Sequence, residues 1–371
     1  MKLTIERAAL LKSLGHVQSV VERRNTIPIL ANVKISAADG KLALNATDMD
    51  IEIVESVAAS VAAKGATTAP AHTLYEIARK LPEGAEVEIE AGGEGKLTVR
   101  AGRSRFQLSC LPVEEFPVMG GGSYAHTFRL GAADLRGTIE RTRFAISNEE
   151  TRYYLNGIYL HPAKRDKTAV LRAVATDGHR LASVEVPLPK GASGMPGVIV
   201  PRKTVNELHR LIEESDAEVE IGVSETKIRF ALDGAEIASK LIDGTFPDYE
   251  RVIPTGNDKE MEVNRRTFTE AVDRVTAISS EKSRAVKLKL GKNTLELSAT
   301  SAENGSASEE IEVAYQGAAL EIGFNARYLL DIAQQMTGDT LRLSMADAAS
   351  PTVLADAADA AGLYVLMPMR V

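Results

Sequence analysis

The chain has 371 residues, enough for two or three domains that each bury a core, and is 44% hydrophobic and 26% charged. Its formal net charge of −7 argues against wholesale non-specific attraction to nucleic acid while leaving room for a local basic surface. A single cysteine excludes an intrachain disulfide and a cysteine-based zinc site, and no apolar run reaches the roughly 18 residues that a membrane span needs.

Taken in chain order, one unit is written three times. Met1-Lys-Leu-Thr-Ile-Glu6 reads as a strand rather than a secretion signal, which predicts a cytoplasmic protein. A helix over 6–24 follows, with Leu10, Leu14, Val17 and Val21 on one face. The mark Ala43-Leu-Asn-Ala-Thr-Asp48 leads to a second helix over 71–81 (Leu74, Ile77, Ala78, Leu81), an alternating strand from Gly84, and closing strands that run to Phe116-Pro117. The middle third repeats the order: strand at 126–130, helix over 132–144, and the mark Ala173-Val-Ala-Thr-Asp-Gly-His-Arg-Leu-Ala182. A helix over 201–214 (Val205, Leu208, Leu211, Ile212), a strand after Ser215 and a close at Phe246-Pro247 complete it. The last third has a strand at 261–263, a helix over 265–284 (Phe268, Val272, Val275), the mark Leu297-Ser-Ala-Thr-Ser301, a helix over 325–336 (Tyr328, Leu329, Ile332, Met336) and a closing strand into Val371. Gly and Pro break the periodicity at Gly120-Gly-Gly-Ser123 and Pro254-Thr-Gly-Asn257. These signals predict three α+β domains, 1–122, 123–254 and 255–371, with helices on one face of antiparallel sheet.

Charge is segregated along this pattern. The six expected helices hold 18 Lys and Arg against 12 Asp and Glu, a net +6, so everything else carries −13. Such a division gives a surface with two electrostatic faces, although cations placed at helix ends for dipole reasons give the same sign. Three local motifs invite chemistry. Gly93-Glu-Gly-Lys96 lacks the earlier Gly and the following Ser or Thr of a phosphate loop, and reads as a hairpin turn. Asp48, Asp50 and Glu52 alternate along a strand, as metal ligands or as a solvated face would. Asp177 and His179 could pair as a base and its orienting partner, yet no Gly-x-Ser-x-Gly elbow occurs and the equivalent segments lack the His. Asp177-Gly178 is equally a turn between two strands.

The three repeats, the basic helices, Thr176-Asp-Gly-His-Arg-Leu181 and the ending Met367-Pro-Met-Arg-Val371 together resemble the bacterial DNA polymerase III β subunits, the β sliding clamps. Arg103-Ser-Arg-Phe106, Arg152-Tyr-Tyr-Leu-Asn-Gly157, Val200-Pro-Arg-Lys203 and Phe246-Pro-Asp-Tyr249 extend the resemblance over essentially the whole chain. It implies an α+β DNA clamp fold of three similar domains, antiparallel sheets outside and two helices inside each, closed head to tail with a second subunit into a ring. Such a ring holds duplex DNA by phosphate attraction without reading bases, so it can slide. The resemblance further implies a homodimer with no catalytic residue, metal or cofactor. Its partners would be the DNA polymerase III catalytic subunit, a separate ATP-driven clamp loader, and translesion polymerases and repair proteins that carry clamp-binding peptides.

By the same resemblance, Arg24, Tyr153, Tyr154, Arg202 and Lys203 face DNA. A partner-peptide pocket between the second and third domains is walled by Arg152, Leu155, Thr176, Gly178, His179, Arg180, Leu181, Pro247, Arg251, Val252, Asn325, Tyr328, Met367, Pro368, Met369 and Arg370. Phe106 and Leu108 of one subunit meet Ile278 and its neighbours of the other. Three positions depart from the family pattern: His72 stands in place of an arginine, Glu149 in place of an amide, and Ser283 in place of a bulkier residue. Two other readings of the residues remain: a hydrolase using Asp177 and His179, and a repeat scaffold that binds only proteins.

Overall fold

A computed structural model describes residues 1–93, 95–119, 122–232, 234–279 and 284–370; Ser283, Gly120, Gly121 and Val371 lie outside the described residues. Six α-helices form among them: α1 (Arg7–Val17), α2 (Ala71–Lys80), α3 (Ala132–Arg143), α4 (Arg202–Leu211), α5 (Arg265–Thr276) and α6 (Ala326–Ala333). Each coincides with an expected helix and ends before the expected bound, α1 and α5 by the most. α1 ends at Val17 rather than 24, and the carbonyls that a longer helix would use are taken by distant side chains: Val20 O by Lys203 Nζ (2.9 Å) and Val21 O by His72 Nε2 (2.9 Å). α5 ends at Thr276, whose hydroxyl donates back to Val272 O at 2.7 Å, and Ala277 N closes a tighter turn on Arg274 O.

The chain divides into two compact units. One comprises Met1–Arg136, Pro189–Met195 and Lys203–Leu241; the other comprises Gly137–Leu188, Pro196–Arg202 and Ile242–Val371. In the first, an eight-stranded antiparallel sheet joins strands of the first third to strands of the middle third. The join is the ladder between Ile51–Ala58 and Ala235–Lys240, with Ile53 opposite Ile237 and Ile51 opposite Ser239. A five-stranded sheet ends on Ser104–Ser109 as an edge strand. α1 packs on α2 and on the strand Ile51–Ala58, burying Leu10, Leu14 and Val17.

The second unit is built on a nine-stranded sheet in which Arg180–Pro187 pairs with Asp359–Leu366. Leu181 lies opposite Val365 and Ala182 opposite Tyr364, so strands from the middle and last thirds share one ladder. A four-stranded sheet with Gly305–Glu312 at its edge carries α5 and α6. Alternation along each strand sends one face into the core, as in Leu341, Leu343 and Met345, all fully buried.

The repeated mark is a turn with a fixed hydrogen-bond pattern. In Thr47–Ile51, Thr47 Oγ1 donates to Ile51 O (2.8 Å) and accepts from Met49 N (3.0 Å), while Asp48 Oδ1 accepts from Asp50 N and Ile51 N, both at 2.9 Å. In Thr176–Arg180, Thr176 Oγ1 donates to Arg180 O (2.7 Å) and accepts from Gly178 N (3.1 Å). Asp177 Oδ1 there accepts from His179 N (2.9 Å) and Arg180 N (3.0 Å). The third residue of each turn has positive φ, 79° at Met49 and 89° at Gly178.

Candidate functional site

The turn Thr176–Arg180 settles the role of Asp177. Its Oδ1 is held by two backbone N–H groups and its Oδ2 by Arg180 Nε at 3.1 Å, while the His179 ring stacks on Tyr328 with centroids 6.4 Å apart. Asp177 therefore shapes a turn, and the catalytic pairing of Asp177 with His179 is replaced by an architectural one. Arg180 ties that turn to the rest of the unit: Nη1 pairs with Asp331 Oδ2 (2.6 Å), Nη2 donates to Phe144 O (2.7 Å), and the guanidinium lies 4.3 Å from the Tyr328 ring centroid.

Beside the turn is a cavity of about 270 Å³. Of the anticipated walls, Arg152, Leu155, Thr176, Gly178, His179, Arg180, Leu181, Pro247, Val252 and Met367 line it. Tyr154, Asp248, Tyr249 and Val365 line it as well, and sequence reasoning missed them there. The signal for Tyr249 was its place in Phe246-Pro-Asp-Tyr249; Val365 is the cross-strand neighbour of Leu181, which only the register reveals. The other anticipated residues sit nearby in other roles. Arg251 pairs with Asp248 (2.7 Å), Asn325 Oδ1 caps α6 by accepting from Arg327 N (3.0 Å), and Tyr328 lies under Arg180. Pro368, Met369 and Arg370 continue from Met367, whose N donates to His179 O (2.9 Å), while Met369 N donates to Gly323 O (2.8 Å). The floor is an apolar cluster of Leu155, Val174, Leu181, Ile199, Phe246, Tyr249 and Val365.

Arg152 guards the rim. It meets Glu149 through two bonds, Nε to Oε2 at 2.8 Å and Nη2 to Oε1 at 2.6 Å, and Nη2 also donates to Asp177 O at 3.2 Å. The Arg152 hydrogen bond and charge hold the Glu149 carboxyl below the usual range, with His179 adding to the effect. A Cβ at position 178 would lie 2.6 Å from Arg152 Nη1, so a larger residue would push the end of Arg152 aside, and the φ of 89° favours glycine.

The residues assigned to DNA divide in two. Arg24 and Tyr153 are exposed, the latter with 53% of its surface open. Tyr154 packs edge-on to Tyr153 (5.8 Å) and turns toward the groove floor. Arg202 donates to Asn148 Oδ1 and Ser147 O, and burial lowers its pKa. Lys203 is bridged to Glu22 and Asp48, each at 2.5 Å. His72, the departure from arginine, is fastened between Gln18 Oε1 (2.7 Å) and Val21 O. The alternating acids are likewise engaged separately: Asp48 with Lys203, Asp50 with Lys240 (3.0 Å) and Glu52 with Asn45 (2.9 Å). In the Gly93-Glu-Gly-Lys96 segment Glu94 lies outside the described residues, and Gly95, at φ 65°, accepts from Cys110 N as a turn residue.

Two of the sheet edges differ sharply in character. The strand Ser104–Ser109 presents exposed Arg105 and Phe106 and half-buried Leu108. The strand Gly305–Glu312, which sequence reasoning did not single out, presents Glu310 and Glu312, with Glu309 held by Arg274 at 2.6 Å. Ile278, half-buried just beyond α5, has its carbonyl bonded by Asn304 Nδ2 at 3.1 Å.

Models of the DNA polymerase III beta subunit match three stretches: the N-terminal domain over residues 1–120, the central domain over 129–248 and the C-terminal domain over 250–370. The chain belongs to the DNA polymerase III beta subunit family. A beta sliding clamp of Caulobacter vibrioides is 53% identical over 372 residues, covering all of both chains. A crystal structure of a sliding clamp from Bartonella birtlesii bound to griselimycin superposes with a TM-score of 0.97 at 50% identity, covering both chains completely. A C. crescentus beta sliding clamp with PEG bound to its putative beta-motif tethering region gives 0.97 at 53% identity, over 100% of this chain and 99% of that one. The three-domain clamp fold and the DNA sliding clamp function follow from this membership, and the family is a non-catalytic one.

Proposed function

We propose that two copies of this chain close head to tail around duplex DNA and tether partner proteins through the groove beside Thr176–Arg180. The groove carries this reading. Its floor is apolar and of a size for a few side chains, Met367 and Val252 stand exposed at its mouth, and Arg152 and His179 offer rim donors to a Gln side chain or a peptide carbonyl. The bound partners are the DNA polymerase III catalytic subunit, the clamp loader, and translesion polymerases and repair proteins with clamp-binding peptides. The domains are 1–122, 123–254 and 255–371, and the protein works in the cytoplasm.

Charge supports the DNA part of the proposal. The six observed helices hold 14 Lys and Arg against 7 Asp and Glu. That excess of +7 within a chain of −7 suits a helix-lined hole that attracts phosphates non-specifically, with Arg24, Tyr153, Tyr154, Arg202 and Lys203 on the DNA side. For the subunit contact, a basic and aromatic edge at Ser104–Ser109 and an acidic edge at Gly305–Glu312 are complementary in a heterologous interface that closes with two copies, Phe106 and Leu108 packing near Ile278. The deciding experiment loads the protein onto nicked circular DNA with a clamp loader and ATP. Retention through gel filtration, followed by release when the circle is linearised, is the expected result. Equal retention on linear and circular DNA overturns the encircling reading.

A further inference from the structure

Behind the groove wall, three strands place a row of polar side chains under the 3-10 helix Tyr249–Val252. His161 on Gly157–Arg165 lies directly opposite Arg172 on Thr168–Thr176, and Arg172 opposite Glu185 on Arg180–Pro187. Arg172 Nη1 donates to Tyr249 Oη at 2.8 Å, and His161 Nε2 lies 2.9 Å from the same oxygen. His161 Nδ1 lies 2.9 Å from Pro162 O. The donors can be assigned by elimination. A carbonyl only accepts, so Nδ1 carries a proton; in the neutral imidazole Nε2 is then the acceptor, and the Tyr249 hydroxyl, which already accepts from Arg172, donates to it.

This relay is one of two polar ties of the wall, the other being Arg172 Nη1 to Glu250 Oε1 at 2.8 Å, and ring contacts add to them. Tyr159 stacks on His161 (4.6 Å) and on Phe246 (4.8 Å, planes 7° apart), and Tyr249, 6% exposed, lines the groove together with Val252 of the same short helix. We propose that His161 is a positioning residue of the groove: by accepting the Tyr249 hydroxyl it fixes the wall Tyr249–Val252, and a protonated His161 releases it. The inference rests on the groove being the partner-peptide site.

The surroundings agree with a neutral imidazole. Burial holds the His161 pKa below its ordinary value, helped by the charge of Arg172 and opposed by the Pro162 carbonyl, Glu250 and Glu185. Those groups, with Tyr159 and Tyr249, are the titratable and charged neighbours that face it. The lowered pKa favours the neutral imidazole with Nε2 as acceptor; on protonation Nε2 becomes a donor, the Tyr249 hydroxyl proton loses its acceptor, and two cations, Arg172 and His161, face one oxygen.

The test uses the full-length protein and a labelled synthetic peptide, Gln-Leu-Ala-Leu-Phe, with affinity read by fluorescence anisotropy at about pH 7.5 and about pH 5, on either side of the usual histidine range. The wild type should lose about fivefold in affinity on acidification, the scale of one hydrogen bond. His161→Gln offers an acceptor at the Nε2 position and cannot take up a proton there. It should keep the neutral-pH affinity and flatten the pH dependence. His161→Phe keeps the stack, loses the acceptor, and should bind about fivefold more weakly at both pH values. Tyr249→Phe should flatten the profile in the same way as His161→Gln. His179 is common to all four proteins and so does not distinguish them in the comparison. Peptide binding with the same pH ratio in wild type and His161→Gln overturns this inference alone; no binding by the wild type at neutral pH overturns the groove reading and this inference with it.

Discussion

The turns Thr47–Ile51 and Thr176–Arg180 are built by the same four side-chain hydrogen bonds, yet they serve different ends. In each, a Thr hydroxyl and an Asp carboxylate collect the backbone groups of a tight reversal, and the third residue is forced to positive φ. The first turn is anchored by a half-exposed lysine, Lys203, and carries a methionine at the strained position. The second is anchored by a nearly buried arginine and carries a glycine, and there Arg152 donates to the backbone carbonyl of Asp177. Architecture lies in what the two share, and the proposed peptide binding rests on what the second adds.

The largest test of this contrast is the second anchor. Arg180 is 10% exposed and serves Asp177, Asp331 and the Phe144 carbonyl at once. Arg180→Ala leaves two carboxylates and a carbonyl without their donor, and should cost about 3 kcal/mol in urea unfolding, with loss of peptide binding. A change within the error of the fit would mean that the anchor is dispensable and the groove self-supporting. Next in size is Gly178→Ala. The φ of 89° and the contact with Arg152 Nη1 should together cost about 2 kcal/mol, and the displaced Arg152 should weaken peptide affinity even at temperatures where the protein is fully folded. Undiminished peptide affinity in this variant would separate Arg152 from recognition.

How far these features could be read without coordinates follows from which interactions are local. The 3.6-residue period placed all six helices, because Leu10, Leu14 and Val17 or Phe268 and Val272 recur on one face whatever they pack against. The end of α1 was not readable, since Lys203 and His72, which take the carbonyls of Val20 and Val21 just beyond it, are far away in sequence. Alternation told which face of a strand is buried but not its neighbour. The pairing of Ile53 with Ile237 and of Leu181 with Val365 therefore had to be seen, and with it the division of the middle third between two units. The groove was legible mainly through resemblance. Tyr249 stood out only as part of Phe246-Pro-Asp-Tyr249, because its hydroxyl contacts, His161 and Arg172, become neighbours only through strand register.

The third test concerns the first anchor. Lys203 is 32% exposed, and its two carboxylate partners include Glu22, which is 59% exposed, so solvent screens much of the attraction. Lys203→Met should cost only about 1 kcal/mol, largely through the unmatched Asp48, and should leave peptide affinity unchanged. The sign to look for is that contrast: a peptide defect in Lys203→Met would mean that the two turns are coupled rather than independent copies.

The smallest effect is expected at Met49, and it sharpens the comparison most directly because it makes the first turn chemically like the second. Met49 holds φ 79° with 45% of its surface exposed, so its side chain contributes little packing and its backbone is in a region that costs a non-glycine residue about 1 kcal/mol. Glycine relieves that cost but loses about as much by enlarging the freedom of the unfolded chain. Met49→Gly should therefore shift stability by no more than about 0.5 kcal/mol in either direction, while Gly178→Met, the reciprocal exchange, should be worse than Gly178→Ala. If Met49→Gly instead weakens retention on circular DNA without changing stability, the strained methionine is held exposed for a contact of its own, and the first turn, like the second, carries a function beyond the reversal of the chain.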